Sequence, residues 1–476
     1  MSHQDTDGHT GSVPHHQALK QALDWLLHAL PLSDVAFREE CTWSPKDLVS
    51  TALLWAWSDE KTLTERFFLA RKVTMAMSLL PKVPAKSYQA FLKMLKTWTV
   101  TLTIALVAAF RCRMQTDLAE RFEVCGFAVF GVDGSRLELP RTESNEQRFS
   151  PAKVRRRSKP KPRHKPHRRA RSRASRGRCS REKKTNSPQM WLTTMFHVGS
   201  GLPWDWRIGP SDSSERGHLL EMLAALPALA LITADAGFVG YETWKAILES
   251  RRQLLIRVGA NVRLLRNLGY VHEKNGLVSL WPDREAARKQ PPLVLRLVVA
   301  DGGKHPVYLV TSVLDETLLS DQQVVEIYAL RWRIELFYRH FKQTFERRKL
   351  RSHSADNAEL EATWSLLGLW AMGLHAEVEL ARQGVPARRI SVAKLLFAYR
   401  RSLRESKSHP DPGESLLELL AKAVIDPYKR GDKTSRDYPR KKQGHAIGSP
   451  KIQRATKAQI DMAREIRDQH ELGLTA

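Results

Sequence analysis

The fifteen residues from Tyr328 to Lys342, YALRWRIELFYRHFK, decide how this chain is read. A helix advances about 100° per residue, so the steps from Tyr328 to Arg331, Glu335 and Lys342 return to nearly one azimuth. The spacing predicts a helix with a phenol, a guanidinium, a carboxylate and an ammonium along one stripe. An acid flanked by three phosphate-seeking groups makes an odd solvated face. It is a sensible way to hold a metal beside a nucleic-acid backbone.

The whole chain agrees in composition with a partner that is a polyanion. It has 476 residues, 42% of them hydrophobic, enough for two or three domains with a sizeable core, so it is not a disordered chain. Its 77 Lys and Arg against 51 acids leave a formal net charge of +26, which favours nucleic acid as partner. A membrane is not expected: the longest apolar run, Val100 to Phe110, is too short for a span, and Arg111 follows it. The N-terminus, MSHQDTDGHTGSVPHH, lacks the basic start and apolar run of a signal peptide, so a cytoplasmic location is expected. Cys41, Cys112, Cys125 and Cys179 lie far apart without a CxxC, which argues against zinc and against a disulfide framework.

The order of elements predicts an α/β fold. After a disordered start (1–16), residues 17–122 read as helical, with Leu19, Leu23, Leu26, Leu27 and Leu30 on one stripe. Ser44-Pro45-x-Asp47 marks one helix start, and Ser87 caps another. This segment reads equally well as a plain helical bundle and as a DNA-binding domain. From Gly126 the texture changes to GFAVFGVDGSRLEL, followed by the β-prone runs Met190 to Val198 and Trp204 to Ile208 around the turn GSGLP. Helix and strand then alternate through ALALIT and QLLIRV, which predicts a mixed sheet with helices packed on it over 123–350. A β-rich insertion spans about 259–312. A C-terminal helical region (351–426) holds a long apolar helix in which Trp364, Leu367, Trp370, Ala371 and Leu374 read as core. A Pro/Gly/Lys-rich stretch from Pro427 to Pro450 reads as a linker to a short, polar C-terminal helix, within a basic linker and tail at 427–476.

One block stands apart. Between Lys153 and Lys184 lie seventeen Lys or Arg against a single Glu182, so the insertion at 151–187 carries sixteen of the twenty-six excess charges. Self-repulsion, proline and few apolar residues predict disorder in the free protein. A non-specific phosphate-binding arm is the simplest account. A localisation-like signal, an RNA-binding tail and a tolerated insertion are the alternatives.

Asp133 and Asp235 each end an apolar, β-prone run, in VFGVDGS and LITADAGF. Taken singly, each reads as a turn or helix-cap acid. Two strand-end aspartates of one sheet and a helix-borne Glu335 can instead converge on two hard cations, whose oxygen preference suits three carboxylates. Two metals about 4 Å apart would clamp the attacking and leaving oxygens of a phosphoryl transfer. Without cations such a trio would repel itself.

These residues carry a resemblance. The chain resembles the DDE transposases of bacterial insertion sequences, in the insertion-sequence-4 group, whose signature Y-(2)-R-(3)-E-(6)-K is matched by Tyr328, Arg331, Glu335 and Lys342. The family's D-G-[ST] turn is matched at Asp133-Gly134-Ser135, and its [AG]-D-x-G-[FY] turn at Ala234 to Phe238. The resemblance implies an RNase H-like mixed-sheet catalytic core with a β-rich insertion before the glutamate helix. It also implies two Mg²⁺ or Mn²⁺ ions on Asp133, Asp235 and Glu335. Cleavage at the element ends and transfer of the 3′-hydroxyl into target double-stranded DNA would follow, by a bacterial, nucleoid-associated protein working as a synaptic homodimer. Tyr328, Arg331 and Lys342 would grip phosphates, and Arg257 would join them unless it serves a sheet-edge salt bridge. Tyr308 and Trp281 are candidates to stack a flipped base. A nuclease of the same fold is one alternative, and a decayed or domesticated DNA-binding protein another.

Overall fold

The computed structural model describes residues 15–28, 30, 35, 37, 40–77, 86–151, 187–271, 276–282, 290–301, 305–405, 414–425 and 448–473. The readings made for 1–14, for nearly all of the basic block and for the linker at 426–447 lie outside them.

Four helices open the chain: α1 (His15–Leu27), α2 (Pro45–Trp57), α3 (Leu63–Met77) and α4 (Tyr88–Thr116). At the start of α2 the Ser44 hydroxyl accepts the Asp47 N–H at 3.0 Å, Pro45 fills the first turn, and Asp47 faces the positive end of the helix dipole. Ser87 caps α4 the same way. By length and composition α4 could cross a membrane. In this fold its stripe of Phe91, Leu95, Leu102, Leu106, Phe110 and Met114 faces the core.

The sheet begins with β1 (Val129–Glu138), α5 (Glu143–Phe149), β2 (Gln189–His197) and β3 (Leu202–Gly209), the three strands antiparallel in sequence order. Gly201 turns the β2–β3 hairpin at φ +78°, a left-handed conformation that glycine adopts without strain. Then α6 (Glu215–Met222), β4 (Leu231–Ala234), α7 (Tyr241–Glu249) and β5 (Gln253–Val258) add two parallel strands on the other side of β1. Next come β6 (Arg263–Arg266), β7 (Leu277–Leu280), β8 (Leu293–Ala300) and β9 (Val307–Thr311). This β-rich segment extends the same sheet, because β9 pairs antiparallel with β5.

Helices α8 (Asp321–Leu330), α9 (Trp332–Arg339), α10 (Ala355–Arg382), α11 (Val392–Glu405) and α12 (Leu416–Ala421) follow, then β10 (Lys451–Arg454) and α13 (Lys457–Gly473). The sheet order is β10-β6-β7-β8-β9-β5-β4-β1-β2-β3. The C-terminal helix that the pattern predicts is α13, and it is docked on the sheet and does not stand free as a tail. β10 pairs with the otherwise open edge of β6, and Ala463 and Ile466 of α13 are buried with Leu265, Leu268 and Trp281.

The first four helices and the last ones share one core with the sheet. α10 joins them: the Trp57 indole donates to the Gly368 carbonyl at 2.7 Å, and a Cβ at position 368 would lie 2.9 Å from Ala56 Cβ. The backbones of α2 and α10 therefore meet at a glycine. The boundaries near 122 and 350 mark changes of secondary structure and not breaks in the core.

Replacing Trp57 by Ala removes a fully buried ring and its hydrogen bond to the Gly368 carbonyl, so we expect a loss of about 3–5 kcal/mol in urea unfolding. Tryptophan fluorescence and far-ultraviolet dichroism should follow one transition; two separated transitions would contradict a shared core.

Candidate active site

Parallel pairing sets the first two acids side by side. Val129 lies beside Leu231 and Gly131 beside Thr233. Contrary to the expectation from its DGS stretch, Asp133 does not end its strand: β1 runs on to Glu138 because Asp133 to Glu138 stay paired with β2, whereas Asp235 directly follows β4. Two residues further in the β1–β4 register, Asp133 falls beside Asp235 on the same face. The β4–β5 register, with Thr233 beside Leu255, continues in the same way to Arg257 beside Asp235. The three residues form one row on the face that α8 covers, where Val129, Leu231 and Leu255 pack with Val324 and Ile327.

The third acid arrives on a nearly continuous helix. α8 ends at Leu330 and α9 starts at Trp332, but Arg331 between them keeps helical dihedrals (φ −53°, ψ −30°), and the turn is only tightened, the Arg331 N–H donating to the Tyr328 carbonyl and the Ile334 N–H to the Arg331 carbonyl at 3.1 Å each. The expected stripe brings Tyr328, Arg331 and Glu335 together, and Lys342 lies in a π-helical turn at His340–Thr344. Tertiary contacts dock α9 on β1 and β2. Ile334 packs over Gly131, the Arg333 guanidinium donates to the carbonyls of Val198 and Gly199, and Phe337 lies 5.5 Å from Phe196. The buried Tyr338 hydroxyl accepts the Thr194 N–H at 3.1 Å and reaches the Asp133 carbonyl at 2.8 Å. Glu335 sits between Arg333 and Tyr338, so both anchors hold its turn of helix against the aspartate strand.

Each carboxylate has one oxygen engaged. Asp133 Oδ1 accepts the Gly134 N–H at 2.9 Å, Asp235 Oδ1 the Gly237 N–H at 2.8 Å, and Glu335 Oε1 pairs with Arg331 Nη2 at 2.9 Å. Burial pushes the Asp133 carboxyl up to about 6; the Gly134 amide and Arg331 oppose this, and the charges of Asp235 and Glu335 add to it. That mutual effect ties the three acids into one electrostatic unit.

The phosphate-seeking groups gather at the same place. Arg331 lies over the Tyr328 ring, 5.5 Å from its centre, and the Tyr328 hydroxyl and Arg331 Nε are buried without a hydrogen-bond partner. Arg257 is close enough to favour ionisation of the Tyr328 phenol, against the burial that opposes it. Since β5 lies between β4 and β9, and Arg257 has no ion pair among the described residues, the sheet-edge salt bridge is not formed. The Lys342 ammonium donates to Ser135 Oγ at 2.5 Å, one step along the same strand face from Asp133.

The two base-stacking candidates lie elsewhere. Trp281 is buried against α13 with its indole donating to the Gln290 carbonyl at 2.8 Å, and alternation along β9 sends Tyr308 to the opposite face from Arg257 and Leu309. The exposed aromatic beside Arg331 is Trp332, the first residue of α9.

Sequence reasoning missed a further acid. Glu215 opens α6 on the other face of the sheet, and a Cβ built on Gly134 would lie 2.8 Å from its Cδ. Burial, Asp133 and Asp235 push its carboxyl up to about 7, while Arg136 and Arg216 pull it down. Nothing in the helical pattern around it marks Glu215, but an acid in the first turn after the third strand was a signal available to the topology.

Residues 129–370 match the family described as transposase DDE domain. The chain belongs to that family. It is also 26% identical over 204 residues to the transposase InsG for insertion sequence element IS4 of Escherichia coli (strain K12), over 41% of this chain. The chain spans only 45% of the length of that relative. A cryo-EM structure of the piggyBac transposase synaptic complex with hairpin DNA matches with a TM-score of 0.38 at 10% identity, covering 89% of this chain and 88% of that one. A likeness of that size carries no argument.

DDE transposases generally use divalent metal ions, and the donor set here suits them. Asp133, Asp235 and Glu335 offer only oxygens, each keeps one oxygen free of the bonds above, and their repulsion calls for positive charge. Among the described residues no group of three or more His, Cys, Asp or Glu side chains is gathered closely enough to hold a metal ion. The Arg331–Glu335 pair supplies part of the counter-charge meanwhile.

A carboxyl whose pKa is raised by folding favours the fold while protonated. Its contribution is full below the ordinary value of 3.8 for Asp133 and is lost as pH rises through about 6. In EDTA the melting temperature of Asp133→Asn should therefore gain on that of the parent chain between about pH 4 and pH 7. Parallel melting curves across that range would contradict the placement of Asp133.

Proposed function

We propose that this chain is a DNA transposase of insertion-sequence-4 type. On this reading it cleaves element ends and joins the 3′-hydroxyl to target DNA through an RNase H-like core. The observation that carries the reading is the in-register row of Asp133 and Asp235, faced by Glu335 and ringed by Tyr328, Arg331, Arg257 and Lys342. Three antiparallel strands followed by alternating helices and parallel strands support the RNase H-like assignment.

Asp133, Asp235 and Glu335 would hold two Mg²⁺ or Mn²⁺ ions. Bound there, the ions supply Lewis acidity to the attacking and leaving oxygens of an in-line displacement. The side chains around them do the positioning. Arg331 can grip a phosphate with its unpartnered Nε and the Tyr328 hydroxyl can donate to the same group, so DNA would draw Arg331 away from Glu335 and free that carboxylate. Lys342, held beside Ser135, adds a point charge close to Asp133. The broad excess of positive charge suits double-stranded DNA, and a homodimer would bring two ends together. Such a protein would act in the cytoplasm on the nucleoid.

Glu335→Gln should retain binding of the element end and lose cleavage. Changing an outer partner of a metal site costs roughly 10–100-fold, so loss of a ligand should exceed that in a Mg²⁺-dependent nicking assay. Full cleavage by the variant would remove Glu335 from the centre. Joining of a pre-cut end separates a transposase from a nuclease, which would cut and not join.

Deleting 153–184 should weaken DNA binding mainly at low salt and flatten the slope of log K against log salt. An unchanged slope would exclude the block from phosphate contact.

A further inference from the structure

We propose that a cavity on the side of α9 away from Glu335 binds a small amphipathic anion, its apolar tail inside and its charged head held at the mouth by Arg339 and Arg388. The inference goes beyond the proposed chemistry and does not depend on the three acids.

The space itself is the first observation. About 370 Å³ lies between the β2–β3 hairpin, α9, α10 and the segment that leads into α11, within the roughly 300–1,000 Å³ range of ligand pockets. Its inner wall is buried and apolar, with Phe196 and Leu202 from the hairpin, Phe337 from α9, Met372 from α10 and Leu395 from α11. Such a wall favours an apolar occupant over water.

The second is why the space stays open. The Ser391 N–H donates to the Ala423 carbonyl at 2.8 Å and the Ile425 N–H to the Arg389 carbonyl at 2.7 Å, and Ile390 is bridged antiparallel to Val424. The lead into α11 is thereby tied to the segment after α12 and does not collapse onto α9. On the opposite wall the hairpin already touches α10, because a Cβ on Gly373 would lie 2.7 Å from Leu202 Cδ2. With backbone fixed on both sides, the lining lacks the dispersion contacts that an occupant would restore.

The third is the charge at the mouth. Arg339 and Arg388 are exposed on the rim and make no ion pair or hydrogen bond among the described residues. Glu377, the one acid among the described lining residues, is buried and paired with Arg121. Burial pushes its carboxyl up to about 7 against the pull of Arg121 and Arg333, so little negative charge opposes an incoming anion. Free guanidiniums over an apolar hole match a carboxylate with a hydrocarbon tail. An occupant would press on Leu336 and Phe337, and so on the helix that carries Glu335 on its other side.

The test is isothermal titration calorimetry of the full chain with octanoate and with 1-octanol, in the absence of metal and DNA. The parent should bind octanoate about tenfold more tightly than octanol, as two exposed charge contacts allow. Reversing both rim charges, Arg339→Glu with Arg388→Glu, should abolish that preference and leave octanol binding as it is. Both side chains are exposed, so the fold is undisturbed. Arg454→Glu with Lys457→Glu makes the same change of net charge on β10 and α13 and should leave the preference intact. Val392→Trp, at the start of α11, should fill the cavity and remove binding of both ligands. The proposal is overturned if the parent does not bind octanoate, binds it no better than octanol, or loses the preference equally when Arg454 and Lys457 are reversed. Full octanoate binding by a Val392→Trp chain that melts as the parent does would place the site elsewhere and overturn it too. The rim-charge result decides even where Val392→Trp lowers the melting temperature.

Discussion

Like charges brought close together in a half-buried place are the constraint around which this fold is organised. Asp133 and Asp235 cannot move apart to relieve their repulsion, because each is the continuation of a strand whose backbone is paired with the other's. The alternating residues on those strands, Phe130, Ile232 and Ala234, lie in the main core. Slipping either strand by one residue would turn its acid to the opposite face and expose its apolar partners. The energy that keeps the acids adjacent thus comes from burial elsewhere in the sheet, and the repulsion remains as a local demand for positive charge.

How that demand is met follows from the helical run of α8 and α9. Its turn is tightened at Arg331 without leaving the helical conformation, so Tyr328, Arg331 and Glu335 share one stripe. α9 takes its position from β1 and β2, through Ile334 over Gly131 and the Tyr338 hydroxyl set among strand carbonyls and amides. Arg331 at the junction stacks on Tyr328 of one helix and pairs with Glu335 of the next. It can neutralise Glu335 or bind a phosphate, and its unpartnered Nε keeps the second option open.

The helices before the sheet support this centre from a distance. α10 crosses α2 at Gly368 and also packs on α4, so the N-terminal helices cannot move as an independent body without opening the core under β3. Buried Arg347, just past the π-helical turn, ties the same layers together by donating to the Ala56 carbonyl at 2.9 Å and to Ser365 at 2.6 Å. The position of Lys342 is therefore fixed from both ends, by Ser135 on the strand and by the arginine lock that follows it.

Much of this was legible in the residue order. Apolar runs ending in Asp-Gly and Ala-Asp, helix starts at Ser44 and Ser87, and the spacing of Tyr328, Arg331, Glu335 and Lys342 are local patterns, and local patterns determine strands, caps and candidate acids. What the order of residues could not express is which face and which neighbour each group meets. The docking of α9 on β1 and β2, the burial of Trp281 under α13, the turning of Tyr308 away from Arg257, and the meeting of Glu215 with Gly134 all depend on pairings between segments far apart in the chain. Sequence alone determined the chemical kinds present and where the chain turns. Only the tertiary structure decided which charges share one space, because strand register and helix docking are settled by the packing of the whole core.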